Sequence, residues 1–137
     1  MKSAFNYAEC STAKKLKVGC VLVKDDRIIS IGYNGMPAGW SNVCEEKTLW
    51  LNGKQLPSQV LVTKPEVLHA EENAITKLAR STESGEGATA FITHAPCLSC
   101  AKLLYSSGIV EVYYVHEYRD TAGIDFLKKC KIGVDKL

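Results

Sequence analysis

The 137 residues are 46% hydrophobic, 23% charged and 8% aromatic, an ordinary globular composition that excludes wholesale disorder, a collagen-like repeat and a coiled coil. The length suits one domain over residues 1–137, because two would leave neither with a proper core. Seventeen Lys and Arg against fifteen Asp and Glu leave a net charge of +2, and the basic residues are scattered, so no polymeric nucleic acid is expected as a partner.

Residues 3–15 mix apolar and polar positions at helical spacing, with Ala4, Tyr7 and Ala8 on one side, and predict a first helix. Residues 17–23 (KVGCVLV) read as a buried strand. Asp25-Asp26 supplies a turn, and residues 27–33 (RIISIGY) read as the antiparallel partner. Residues 35–66 are less regular, rich in Gly, Pro, Asn and Ser, and carry both tryptophans. Such a stretch inside a small domain is expected to be a functional loop or an interface. From Leu68 to Arg80 the apolar residues Ala70, Ala74, Ile75, Leu78 and Ala79 recur at three- and four-residue intervals, which predicts a helix. Residues 81–87 break it, and residues 88–93 (ATAFIT) form a short strand. Pro96 opens another helix that stops at Gly108. Residues 109–115 (IVEVYYV) are strand again, and 124–130 a short helix. The strand-helix-strand step at 88–115 implies a parallel pair in an α/β layer fold. The apolar runs are strand-sized, too short to cross a membrane. The opening MKSAFNYAEC lacks the apolar core of a secretory signal, so the cytoplasm is expected, with no membrane partner.

Six cysteines are many for this length. Cys10, Cys20, Cys44 and Cys130 stand far apart and read mostly as buried small apolar residues. Cys97 and Cys100 stand together in Pro-Cys-Leu-Ser-Cys at a helix start, where the positive helix end and a bound cation favour thiolates. Adding His69, which opens the preceding helix, gives three zinc ligands and leaves a fourth tetrahedral position for water. Two thiolates and a neutral imidazole also cancel the charge of Zn²⁺. Glu71, two residues after His69, is placed to take a proton from that water and return it elsewhere. Glu72 reads better as an exposed first-turn acid that stabilises the helix dipole. A redox Cys pair would leave the His-x-Glu unexplained. A purely structural zinc would need a fourth ligand, for which the nearest spare is His94, and His94 reads better as lining a pocket or capping its strand. Three glycines at 32, 35 and 39, around Asn34 and Pro37, let backbone N–H groups approach a ligand closely. On spacing alone an ordinary loop after the second strand is the better reading.

The pair His-x-Glu and Pro-Cys-x-x-Cys resembles the signature of zinc nucleobase deaminases. Within that group, His69-Ala70-Glu71-Glu72-Asn73-Ala74-Ile75 is similar to the HAExNAI form of the deoxycytidylate (dCMP) deaminases. Residues 32–39 (GYNGMPAG) resemble that family's GYNGxPxG loop, and Tyr118-Arg119-Asp120 with the following GIDFLKK resembles its C-terminal segment. The resemblance runs from about Val18 to Ile132, and residues 41–66 follow no familiar pattern.

The resemblance implies a cytidine deaminase-like three-layer α/β/α sandwich with a central mixed sheet, in which the two ligand-bearing helices meet by their N-termini. It implies hydrolytic deamination of dCMP to dUMP and ammonia, supplying dUMP for dTTP synthesis. His69, Cys97 and Cys100 would hold Zn²⁺, and Glu71 would shuttle the proton. Asn34 would meet the sugar or base, while Tyr118 covers the base and Arg119 meets the phosphate. It also implies a homo-oligomer, a hexamer, activated by dCTP and inhibited by dTTP, each with Mg²⁺. Gly35, Pro37, Gly39 and Asn73 would touch that regulatory nucleotide, and Arg80 could meet another subunit. Three alternatives differ in one feature each. A nucleoside cytidine deaminase commonly has cysteine where His69 stands, and a tRNA adenosine deaminase needs a broad basic surface. A metal-stabilised binding module has no use for Glu71.

Overall fold

The computed structural model describes residues 1–137. In chain order the elements are α1 (Lys2–Ala8), β1 (Gly19–Lys24), β2 (Arg27–Tyr33), β3 (Glu45–Leu51), β4 (Lys54–Thr63) and α2 (Ala70–Ala79), then β5 (Thr89–His94), α3 (Leu98–Ser106), β6 (Glu111–His116), α4 (Ala122–Lys129) and β7 (Gly133–Lys136). Five strands form one sheet in the order β2-β1-β5-β6-β7. β1 pairs antiparallel with both β2 and β5, whereas β5–β6 and β6–β7 are parallel, so the sheet is mixed. The parallel step through α3 is the one expected from residues 88–115.

The helices cover both faces. Gly19 lies against the carbonyl of Ala4 in α1. Gly32, which pairs with Cys20 and therefore points to the opposite face, lies against Ala70 and Ala74 of α2. Between the sheet and the α2–α3 side sits the main core, with Cys20, Leu22, Ile92, Leu104, Val112 and Leu127 fully buried. Where α2 crosses Gly32 it presents Ala70 and Ala74, both fully buried. Small residues on both sides of this contact bring the helix backbone onto the sheet. Ser30 Oγ then donates to the Ala74 carbonyl at 2.6 Å, and Lys77 Nζ donates to the Ile31 carbonyl at 2.9 Å. That seating fixes the residues at the start of α2.

Three differences from the sequence reading have local causes. The first helix stops at Ala8, not at residue 15. Beyond it, side chains take over the backbone: Ser11 Oγ accepts from the Ala13 amide, Asn34 Oδ1 accepts from the Val18 amide, and Asn34 Nδ2 donates to the Leu16 carbonyl. Such bonds compete with a helical ladder. Second, residues 35–66 are not all irregular, because β3 and β4 form a separate two-stranded hairpin. Its two-residue turn is Asn52-Gly53, with φ of 53° and 77°, the double positive φ of a type I′ turn. Third, the sheet gains β7, an edge strand of sequence GVDK in which only Val134 is half-buried, too little apolar content to read as a strand.

The close seat of α2 generates a test. A Cβ at Gly32 would run into the Ala70 carbonyl and the Ala74 amide, both backbone groups of one helix. Gly32→Ala is therefore expected to destabilise the fold by about 1–3 kcal/mol, the scale of overpacking, measured by urea unfolding. An unchanged midpoint would show that α2 is not held where described.

Candidate metal centre and substrate cavity

His69 and Cys97 occupy equivalent positions. Each is the extended N-cap residue of its helix, with φ and ψ of −74° and 158° before α2 and −70° and 169° before α3. α2 and α3 share the main core through Ala70, Ala74, Ala101 and Leu104, so their N-termini converge. The result is a cluster in which His69 Nδ1 lies 3.6 Å from Cys97 Sγ and 3.4 Å from Cys100 Sγ. All three ligand atoms lie within 4.8 Å of one another, and no second group of this kind occurs in the chain. Of the scattered cysteines, Cys20 and Cys44 are buried as expected. Cys10 is exposed and Cys130 half-buried, which corrects the reading for those two.

The charges in the cluster depend on each other. Hydrogen bonds from Cys100 and His69 hold the Cys97 thiol down at about 4. Its hydrogen bond to Cys97 and burial push Cys100 up, and the bond to Cys97 raises His69. The helix N-termini favour negative sulfur here as well. Two thiols and one imidazole nitrogen, gathered this tightly, are a soft and borderline donor set that suits zinc, with three protein ligands leaving one coordination position open.

Glu71 is buried beside them, at 4% exposure. Burial pushes its carboxyl up to about 7, opposed by a hydrogen bond from its own backbone amide and by the positive charge of His69. A carboxyl poised near neutrality can both accept and donate a proton. Glu72 has a different duty: its Oε1 accepts from the His69 amide at 3.0 Å and closes the first turn of α2.

His69, Glu71 and Cys97 line a cavity of about 940 Å³. Asn34, Tyr118 and Arg119 line it too, so these expected residues are brought to one place. The Arg119 guanidinium lies 5.7 Å from the Tyr118 ring centre, and the amide of Asn34 is already engaged by the backbone of residues 16 and 18. Gly35, Pro37, Gly39 and Asn73 do not line the cavity. Gly35 instead bridges to Leu68, and Asn73 Nδ2 donates to the Tyr33 carbonyl at 2.9 Å, tying α2 to the end of β2. His94 lines the cavity, as expected. Its Nδ1 meets Thr93 Oγ1 at 2.9 Å and its ring lies 4.8 Å from that of His116.

Sequence reasoning missed Lys15, Glu45, His116 and the hairpin residues Leu51, Val60, Leu61 and Val62, all of which line the same cavity. Only the hairpin carried a readable signal, the Asn52-Gly53 turn.

Comparison with known proteins agrees with this geometry. Residues 1–116 match the family described as "Cytidine and deoxycytidylate deaminase zinc-binding region". The chain belongs to the cytidine and deoxycytidylate deaminase family. It is 34% identical to the deoxycytidylate deaminase of Enterobacteria phage T4, over 86% of this chain and 76% of that one. It is also 34% identical to the human deoxycytidylate deaminase, over 98% of this chain and 82% of that one. Among solved structures, the dCMP deaminase of cyanophage S-TIM5, crystallised with dCMP and dUMP, superimposes with a TM-score of 0.85 and 39% identity, covering 99% of this chain and 92% of that one. The fold is thus the cytidine deaminase sandwich that the sequence resemblance implied. No helix is long and apolar enough to cross a membrane.

The elevated Glu71 carboxyl in this deaminase has a measurable cost in the metal-free protein. The folded state binds this proton more tightly than the unfolded chain, whose value is 4.5, so stability is lost as pH rises from 4.5 to about 7. Urea unfolding of the chelator-treated protein should show Glu71→Gln gaining on the wild type by about 1.4 kcal/mol per unit of that shift. The gap should be small at pH 4.5 and full at pH 8. An equal gap at both pH values would contradict the burial of an ionisable carboxyl.

Proposed function

We propose that this chain deaminates dCMP to dUMP and ammonia by hydrolysis at C4 of the cytosine, residues 1–137 acting as one deaminase domain. The observation that carries the reading is the convergence of His69, Cys97 and Cys100 beside the buried Glu71 in one substrate-sized cavity. The named deoxycytidylate deaminases among its relatives, and the dCMP and dUMP held by the cyanophage protein, support the choice of nucleotide.

His69 Nδ1 and the two sulfurs of Cys97 and Cys100 are the groups that would hold the zinc. When bound, zinc supplies Lewis acidity that makes water a competent nucleophile near neutral pH. Glu71 takes a proton from the attacking water and hands it to N3 of the ring. It then takes the second proton, from the hydroxyl now on C4, and delivers it to the amine, which leaves as ammonia. Its pKa near neutrality suits both directions of transfer. Tyr118 covers the base, and Arg119 meets the 5′-phosphate at the cavity mouth. Asn34 keeps residues 16–18 in place through its two backbone bonds, and so shapes the wall that the sugar or base meets. Six unpaired cysteines, two of them serving the metal as thiolates, suit a reducing compartment such as the cytoplasm.

An ammonia-release assay on the zinc-loaded protein tests the reading. Turnover of dCMP should exceed that of deoxycytidine by orders of magnitude, because each charge-assisted bond to phosphate contributes about 1.5–3 kcal/mol. Glu71→Gln should keep close to one zinc per chain while turnover falls ~10²–10⁴-fold. Equal rates on nucleotide and nucleoside would move the reading to a nucleoside deaminase, and full activity in the variant would remove Glu71 from the chemistry.

Regulation is the finer part of the proposal. The Asn73–Tyr33 bond links the glycine loop after β2 to the helix that carries Glu71, so a ligand bound at Gly35, Pro37, Gly39 and Asn73 would act on the catalytic helix directly. The ligand is a nucleoside triphosphate with Mg²⁺, dCTP for activation and dTTP for inhibition, acting in a homohexamer in which Arg80 meets a neighbouring subunit. Turnover should be sigmoidal in dCMP, become hyperbolic with dCTP and Mg²⁺, and fall with dTTP and Mg²⁺. Hyperbolic kinetics indifferent to both triphosphates would contradict it.

A further inference from the structure

Glu45 is the first residue of β3 and only 6% exposed. Both of its hydrogen bonds run to one oxygen: Oε1 accepts from the Lys14 amide at 2.8 Å and from the Lys15 amide at 3.0 Å. Oε2 has no protein partner. No fully buried side-chain oxygen in the chain lacks one, so Oε2 keeps an opening, and Glu45 lines the substrate cavity. A withdrawn carboxylate that lines a cavity, is fixed by two amides through one oxygen and has the other free is stabilised by a hydrogen-bond donor in that cavity.

The substrate offers few donors. In a 2′-deoxyribonucleoside monophosphate of cytosine these are the C4 amine, which leaves at the Glu71 end, and the sugar 3′-hydroxyl. The phosphate and the ring O2 and N3 are acceptors, which a carboxylate repels. Lys15 and Arg119, lining the same cavity, provide cations for the phosphate instead. We propose that Glu45 is a specificity-determining residue whose Oε2 accepts a hydrogen bond from the sugar 3′-hydroxyl of the nucleotide. This rests on the dCMP reading above and deepens it. It also gives the hairpin a purpose, since Glu45 ties the base of β3 to residues 14 and 15 and carries the sugar contact on the same side chain.

Glu45→Gln separates the two duties. The amide oxygen can keep the bonds to residues 14 and 15, while an NH₂ replaces the free acceptor. The experiment compares kcat/KM for dCMP and for 2′,3′-dideoxycytidine 5′-monophosphate, which lacks only the 3′-hydroxyl, in zinc-loaded wild type and variant. The wild type should favour dCMP by at least about tenfold, the mark of a site built around a hydroxyl. In Glu45→Gln this ratio should fall toward one with the melting temperature little changed. A wild type that treats the two nucleotides alike, or a variant that keeps the full ratio, overturns the proposal. The wild-type ratio, and its counterpart in calorimetric affinity for dUMP against 3′-deoxy-dUMP, can overturn it even where the variant fails to fold. Inactivity of the wild type on dCMP would instead overturn the underlying function, so the two failures are distinguishable.

Discussion

Everything at the site depends on the meeting of two helix N-termini. α2 and α3 each begin with an extended cap residue that carries a metal-ligating side chain, His69 in one and Cys97 in the other, and Cys100 follows on the first turn of α3. Ala70, Ala74, Ala101 and Leu104 seat both helices in one core and so fix where they meet. The helix ends are electropositive, which favours thiolate sulfur and the carboxylate of Glu71 at the same point. That field offsets part of the cost of crowding several anionic groups into one small volume.

The crowding has consequences for each group. Cys97, Cys100 and His69 cannot titrate separately, because their hydrogen bonds to one another decide which holds the proton. Glu71 is buried against the same cluster and is displaced upward by burial. A cation placed among them replaces shared protons with coordination bonds. The fold keeps the carboxyl buried beside the ligand cluster, which is the condition that the proposed proton transfer requires.

Much of this was legible in the sequence, and the reasons are particular. His69, Glu71, Cys97 and Cys100 sit in short motifs at helix starts, where spacing translates directly into geometry. β1, β2 and β5 stood out through apolar runs bounded by turns, and the parallel β5–α3–β6 step followed from their order. The early end of α1 was not legible, because it depends on side chains of Ser11 and Asn34 that reach across the chain. Glu45 was hidden for the same reason: its role comes from two backbone amides about thirty positions away in sequence. The hairpin was readable in part, through Asn52-Gly53, but its strands carry exposed Leu49, Trp50, Leu51 and Leu61 without clean alternation. The Asn73–Tyr33 tie gave no sequence signal, since a polar residue near a helix start has many ordinary uses.

The central claim is that these two helix starts make one open zinc site. Zinc K-edge X-ray absorption on the purified protein tests it most directly. The account predicts one zinc per chain with two sulfur neighbours at about 2.3 Å and two nitrogen or oxygen neighbours at about 2.0 Å, one of them exchangeable solvent. Three or four sulfur neighbours, or a shell closed entirely by protein ligands, would contradict it.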